Sequence, residues 1–137
     1  FGNSAEETAL IWQAISECES YFTSAGDKVV RPLFFGKGLD KVDEIQQAAE
    51  TIRHELRTLD HRLASSNWLV GQSLSAADIA IFPMIQLILR AASKDAAQPF
   101  NLQWLPLATY YPNLAKWVGR IEALPNYQRT YPPHWRA

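Results

Sequence analysis

A single cysteine, Cys18, and a single methionine, Met84, occur in 137 residues. One thiol cannot close an intramolecular disulfide, and zinc frameworks built on paired cysteines are excluded with it. A chain without disulfides points by default to a reducing, cytoplasmic compartment. Because the lone methionine lies far inside the chain, the sequence as given does not begin at an initiator and is expected to be a piece of a longer protein, a processed product or a chain missing its start. Charge of one sign is also lacking. Thirteen basic residues against fourteen acidic ones leave a formal net charge of -1, with no long block of like charges. Nucleic acid and anionic membrane therefore gain no support as partners. The first fifteen residues contain Glu6 and Glu7 and no basic residue, unlike a secretory signal. Internal repeats, low-complexity tracts and alternating strands with a plausible partner are missing too.

What is present is an ordinary globular composition, 47% hydrophobic and 20% charged. A chain of this length buries roughly two-thirds of its unfolded surface as one domain, taken here as residues 1–137. Ser4-Ala-Glu-Glu7 reads as a capping box in which Glu7 reaches back to the Ser4 amide. Ile11, Ala14, Ile15, Cys18 and Phe22 follow at helical spacing, and Gly26 with Asp27 closes the pattern. Cys18 is expected as a small buried hydrophobe, since Glu17 and Glu19 would make its thiolate costly. Val29 to Phe35 carries Pro32 at its centre and reads as an extended or irregular connection. A long amphipathic helix then runs from about Asp40, as cap, to about Ala64 on the stripe Ile45, Ala48, Ala49, Ile52, Leu56, Leu59 and Leu63. His54 and His61 fall on its solvated side about 10.5 Å apart along the axis, too far to share a metal. Thr58 stands where a His-Glu-x-x-His motif would need its second histidine.

The segment Ser75 to Ala92 is the strongest local signal. Ser75 and Asp78 form a second capping box, and Leu74 with Ile79 fits the hydrophobic staple beside it. Beyond Asp78 only Gln86 and Arg90 are clearly polar, so the helix is expected to be buried all round, and Pro83 is expected to kink it. The run is too short for a membrane span. Burying the helix start makes the cap worth the upper part of the usual range, ~2 kcal/mol. Gln86 and Arg90 are expected to be solvated or to satisfy buried carbonyls. Pro112 opens a further helix on Leu114, Trp117, Val118, Ile121 and Leu124, which Pro125 ends. The tail Tyr131 to Arg136 should lie over the surface on its aromatic rings. The fold class is all-α, a bundle of about five or six helices around a buried central one.

Trp-Leu-Val-Gly-Gln-Ser-Leu-Ser-Ala-Ala-Asp-Ile-Ala (68–80) resembles the central signature of the C-terminal helical domain of the glutathione transferase superfamily. Tyr-Pro-Asn-Leu-Ala-Lys-Trp-Val-Gly-Arg-Ile-Glu-Ala-Leu-Pro (111–125) resembles that family's other recurrent segment, in the family's order and spacing. The resemblance implies an all-α domain that follows a thioredoxin-like domain, and that missing domain would bind glutathione and carry the residue that stabilises its thiolate. This chain alone is then expected to hold no catalytic residue and no cofactor site, and to be inactive. The intact protein would transfer the glutathione thiolate to a hydrophobic electrophile, as in detoxification, with glutathione as co-substrate and possible homodimerisation. The position that often supplies a substrate-pocket side chain falls at Tyr21, with Phe22 beside it. Both also suit the core. The alternative implied by the resemblance is a non-catalytic protein–protein adaptor, as such domains occur in elongation-factor and aminoacyl-tRNA synthetase assemblies. The aromatic loop from Pro99 to Tyr111 would then be an exposed patch, whereas a core cover is the favoured role.

Overall fold

Helices α1 (Ala5–Glu17) and α2 (Ser24–Phe34) are joined without a break by a π-helical segment, Cys18–Thr23, into one long rod. A 3-10 turn, Gly38–Lys41, reverses the chain into α3 (Val42–Arg62). A structured loop leads to α4 (Ala76–Ala92), and a 3-10 turn at Asp95–Phe100 precedes α5 (Leu107–Tyr110) and α6 (Pro112–Glu122). The short α7 (Tyr127–Thr130) and a last 3-10 turn, Pro133–Trp135, finish the chain. This computed structural model describes residues 1–136, Ala137 lying outside the described residues, and no strand occurs among them. Helix α4 packs against α1 and α2, while α3 packs against α2 on one side and α6 on the other. The all-α bundle with a central helix is the architecture the periodicity required.

The start of α1 departs slightly from its expected box. Ser4 Oγ accepts from the Glu7 N–H at 3.1 Å, but the Glu7 carboxylate accepts from the Asn3 amide rather than that of Ser4. A larger correction concerns the end of this helix. Gly26 and Asp27 do not terminate it, and Val29–Phe35 is not an extended connection but most of α2. Ala25, Val29, Val30 and Leu33 are buried at helical spacing, and that stripe outweighs the proline. Pro32 forfeits one ladder bond only two residues before the helix stops, and its carbonyl accepts from the Lys37 N–H at 2.9 Å to close the turn. Asp40 does not cap α3. It lies in the 3-10 turn, and Lys41 occupies the cap position without a side-chain bond. The turn is tight because a Cβ at Gly38 would meet the Phe100 ring at 2.9 Å.

The capping box of α4 forms as the sequence predicts, and it does more. Ser75 Oγ accepts from the Ala77 N–H at 3.2 Å, and the Ser75 N–H donates to Asp78 Oδ2 at 2.9 Å. The same carboxylate, fully buried, accepts from the Leu69 N–H at 3.0 Å and from Trp117 Nε1 at 2.8 Å, both on Oδ1. One side chain therefore ties the start of α4 to the preceding loop and to α6. A second carboxylate acts across helices: Asp60 on α3 accepts from the backbone N–H groups of Asn113 (2.8 Å) and Leu114 (2.9 Å) at the start of α6. Those donors would otherwise be orphaned, since Tyr111 provides no side-chain cap.

Helix α4 is not buried all round. Ile79 is 55% exposed, and Ala80 and Pro83 are also open, so one edge of the central helix faces outward. The staple residue Leu74 is likewise exposed at 38%. Pro83 is carried inside a continuous helix.

Asp78→Ala should destabilise the domain by about 3 kcal/mol, more than a surface cap, because four donors, the N–H groups of Leu69, Ser75 and Trp117 and the Ser75 hydroxyl, lose a buried acceptor. Asp78→Asn should cost less, and urea unfolding of both variants checks the order. Gly26 sits inside α2, where an added Cβ meets no atom within 4 Å, so Gly26→Ala should stabilise by ~0.5–1 kcal/mol in the same assay. A helix that stopped at Gly26 would show no such gain.

Candidate functional site

Where the rod crosses α4 it leaves an apolar cleft of about 450 Å³. Ile15, Cys18, Glu19 and Thr23 form one wall, and Ala80, Ile81 and Met84 of α4 form the other. The π-helical segment supplies three of those seven residues. Such wide turns break the α-helical register of a face and recur at functional sites. Here Ile15 and Cys18 are half-buried along one side of the cleft, while Phe22 is buried in the core.

Cys18 lines this cleft. Burial pushes its thiol up to about 11, with the carboxylates of Glu55 and then Glu19 adding to the effect. Glu55 from α3, rather than Glu17, is thus the principal charged neighbour. A thiol held protonated is neither a nucleophile nor a metal ligand at neutral pH, so Cys18 contributes surface rather than reactivity. Among the described residues no group of three or more His, Cys, Asp or Glu side chains is placed to hold a metal. His54 and His61 are exposed on α3.

The two residues singled out for substrate contact lie in different surroundings. Phe22 is 1% exposed and belongs to the core. Tyr21 is 58% exposed and lines a polar groove between the π-helical segment and α3, beside Ser24, Lys28 and Gln47. The structure does not bring the two side chains to one cavity. The cleft residues Ala80 and Met84 carry no sequence mark of their own. Their only signal is an apolar run too wide for one buried stripe, which implies a second face.

On the far flank of α4 a recess of about 380 Å³ is walled on one side by the chain's own tail. Phe82 packs edge-on against Trp117 and Tyr127, each with ring centroids 5.8 Å apart. The series continues from Tyr127 to Tyr131 (6.3 Å) and from Tyr131 to Trp135 (6.1 Å). The Arg90 guanidinium lies 5.1 Å from the Trp135 ring and donates to the Trp135 and His134 carbonyls, so it does satisfy backbone acceptors. The loop from Pro99 to Tyr111 is divided: Trp104 and Tyr111 are buried, whereas Leu105 and Tyr110 are 40% and 43% exposed.

An all-helical domain with a capped central helix and apolar recesses on both its flanks defines the class. The family model described as glutathione S-transferase, C-terminal domain, matches residues 26–125, and the chain belongs to that family. The structure is similar to glutathione transferase F2 from Populus trichocarpa, with a TM-score of 0.71, 21% identity, and coverage of 94% of this chain and 57% of that one. It is also similar to a glutathione S-transferase from Xanthobacter autotrophicus Py2, with a TM-score of 0.64 and 19% identity over 91% of this chain and 55% of that one. In sequence, 121 residues are 27% identical to a valine–tRNA ligase of Takifugu rubripes, covering 85% of this chain and 10% of the ligase. The chain thus spans a little over half of each transferase and a tenth of the ligase. No helix among the described residues is long and apolar enough to cross a membrane.

The raised Cys18 thiol predicts slow alkylation. Against an ordinary cysteine at 9.0, a value of about 11 lowers the thiolate fraction near neutral pH roughly hundredfold. The iodoacetamide rate should therefore rise with pH up to about 11, and unfolding in urea should accelerate it by about that factor. Equal rates in the folded and unfolded chain would contradict the assignment.

Proposed function

We propose that this chain is the hydrophobic-substrate half of a glutathione transferase-like protein of the cytoplasm, one wall of a pocket whose thiolate site belongs to a thioredoxin-like domain of the intact protein. The cleft between the π-helical segment and α4 carries this reading. It is of ligand size, and its lining is apolar apart from Thr23 and the Glu19 carboxylate. In the reaction the glutathione sulfur donates its electron pair to an electrophilic carbon, and the electrons of the broken bond leave with the displaced group. A disulfide or peroxide would be attacked in the same sense. The helical domain contributes proximity and a partly dry surface, whereas lowering the thiol pKa is the task of the other domain. Tyr21 lines the separate groove on the α3 side of the same segment and would meet only a ligand that reaches around it, while Phe22 would support the segment from the core. A homodimer would need surfaces from both domains.

A second reading is favoured by one finding, the match of 85% of the chain to a valine–tRNA ligase. On that reading the domain is an adaptor appended to a larger protein, and it holds a partner protein without catalysis.

The intact protein, assayed for retention on immobilised glutathione and for conjugation of a halodinitrobenzene, separates the two. The transferase reading expects turnover by the intact protein and none by residues 1–137 alone. Ala80→Trp, placed at an exposed cleft position, should raise KM for the electrophile about tenfold with the melting temperature unchanged, and Tyr21→Ala should raise it less. Turnover by the isolated chain would refute the division of labour, and an intact protein without glutathione binding would favour the adaptor.

A further inference from the structure

The reversal between α2 and α3 has a charge balance opposite to that of the chain. Residues 28–41 hold Lys28, Arg31, Lys37 and Lys41 against the single acid Asp40, within a protein of net charge -1. All four cations line one cleft of about 470 Å³, together with Phe35, Pro32, Asp27 and Glu44. Only Lys41 has an ion-pair partner among the described residues, Glu44 at 4.0 Å, and it is a long one. Phe35 is 72% exposed, as is Leu39 in the 3-10 turn that follows. The neighbouring Phe34 differs, because the Lys94 ammonium lies 5.5 Å from its ring and covers it. An aromatic ring left open among four cations, three of them without an ion-pair partner among the described residues, is not needed by the fold: Pro32 and the buried stripe already fix the turn.

We propose that this cleft is a docking site for an acidic peptide segment of a partner protein, one that places carboxylates against Lys28, Arg31, Lys37 and Lys41 and a bulky apolar side chain against Phe35. The charges steer the encounter and set its salt dependence, and the aromatic contact anchors it. The shape and sign of the walls favour a peptide over other anions. Asp27 and Glu44 interrupt the positive lining. A continuous run of phosphates, as in a nucleic acid or an anionic bilayer, would be repelled there, whereas a peptide spaces its carboxylates singly. The recess is also concave, which suits an inserted side chain better than a flat lipid surface. The cleft shares no residue with the wall formed by Ile15, Cys18, Ala80 and Met84, so the site is separate from that apolar cleft, although Lys28 and Glu44 also border the groove of Tyr21.

The probe is a fluorescein-labelled synthetic peptide in which aspartate and glutamate pairs flank a Leu-Phe pair, titrated against the 137-residue chain at low and physiological salt. Saturable binding that weakens with salt is expected, and the same peptide with lysine in place of its acids should not bind. The double variant Lys37→Glu, Lys41→Glu should weaken binding about tenfold or more, and Phe35→Ser about fivefold. The melting temperatures of these variants should match the parent, because the side chains are exposed. Absence of saturable binding, or binding indifferent to both variants, would overturn the proposal. So would tighter binding, lost in the same variants, of phosphatidylserine vesicles or a single-stranded oligonucleotide, which would reassign the cleft to a phosphate surface.

Discussion

The architecture depends on one buried carboxylate. Asp78 is the only charged side chain buried among the described residues, and a charge in that position is tolerable only when its oxygens are fully engaged. Its acceptors are shared among three parts of the chain: Ser75 in its own helix, Leu69 in the loop before it, and Trp117 on α6. The bond from Trp117 fixes how α6 lies on α4, and Phe82 then packs edge-on against the same indole. The tail is laid on Phe82 through Tyr127. A chain of contacts thus leads from a single N-terminal cap to the last turn of the domain. Asp60 repeats the device from α3 to the start of α6, so α6 is registered by a carboxylate at each of two neighbours.

Fixing α4 from its buried start leaves the opposite edge free. Ile79, Ala80 and Pro83 are open, and each flank of that edge becomes an apolar recess. One recess is walled by the chain's own aromatic tail; the other lies beside the π-helical segment. Pro83 fits this arrangement. Its ring forms part of the wall of the tail recess, on the face where a missing backbone bond is least shielded from water.

The framework was legible wherever local chemistry and periodicity agreed. Ser75, Asp78 and the run to Ala92 define α4 to the residue, and Pro112 with Leu114, Trp117 and Ile121 defines α6. It was illegible where a single residue was weighed above a pattern. Gly26 and Pro32 suggested breaks, yet the stripe Ala25, Val29, Val30 and Leu33 has a helical period and carried the helix through both. The partners of Asp60 and the second role of Asp78 could not be read at all, because their donors lie 39 to 54 positions away along the chain. The cleft was hidden for a similar reason. Tyr21 and Phe22 are adjacent in sequence, but successive residues of a helix do not share a face, so one lies toward solvent and the other in the core.

The most recognisable stretch and the candidate binding surfaces therefore obey different constraints. The segment around Ser75 and Asp78 is recognisable because its geometry has few solutions: a buried helix start needs an acceptor for each stranded donor, and only a short carboxylate at the third position also reaches Trp117. The cleft walls need only be apolar and of fitting size, which Ile15, Ala80 and Met84 satisfy no better than many other side chains would. The α2–α3 turn is freer still, since Phe35 and Leu39 are exposed and contribute little to burial. A residue retained by folding declares itself in a local pattern, whereas a residue retained by a partner does so only once the fold shows what it leaves uncovered. In this domain that uncovered surface is the outer edge of α4 and the basic cleft around Phe35, the two places where function is to be sought.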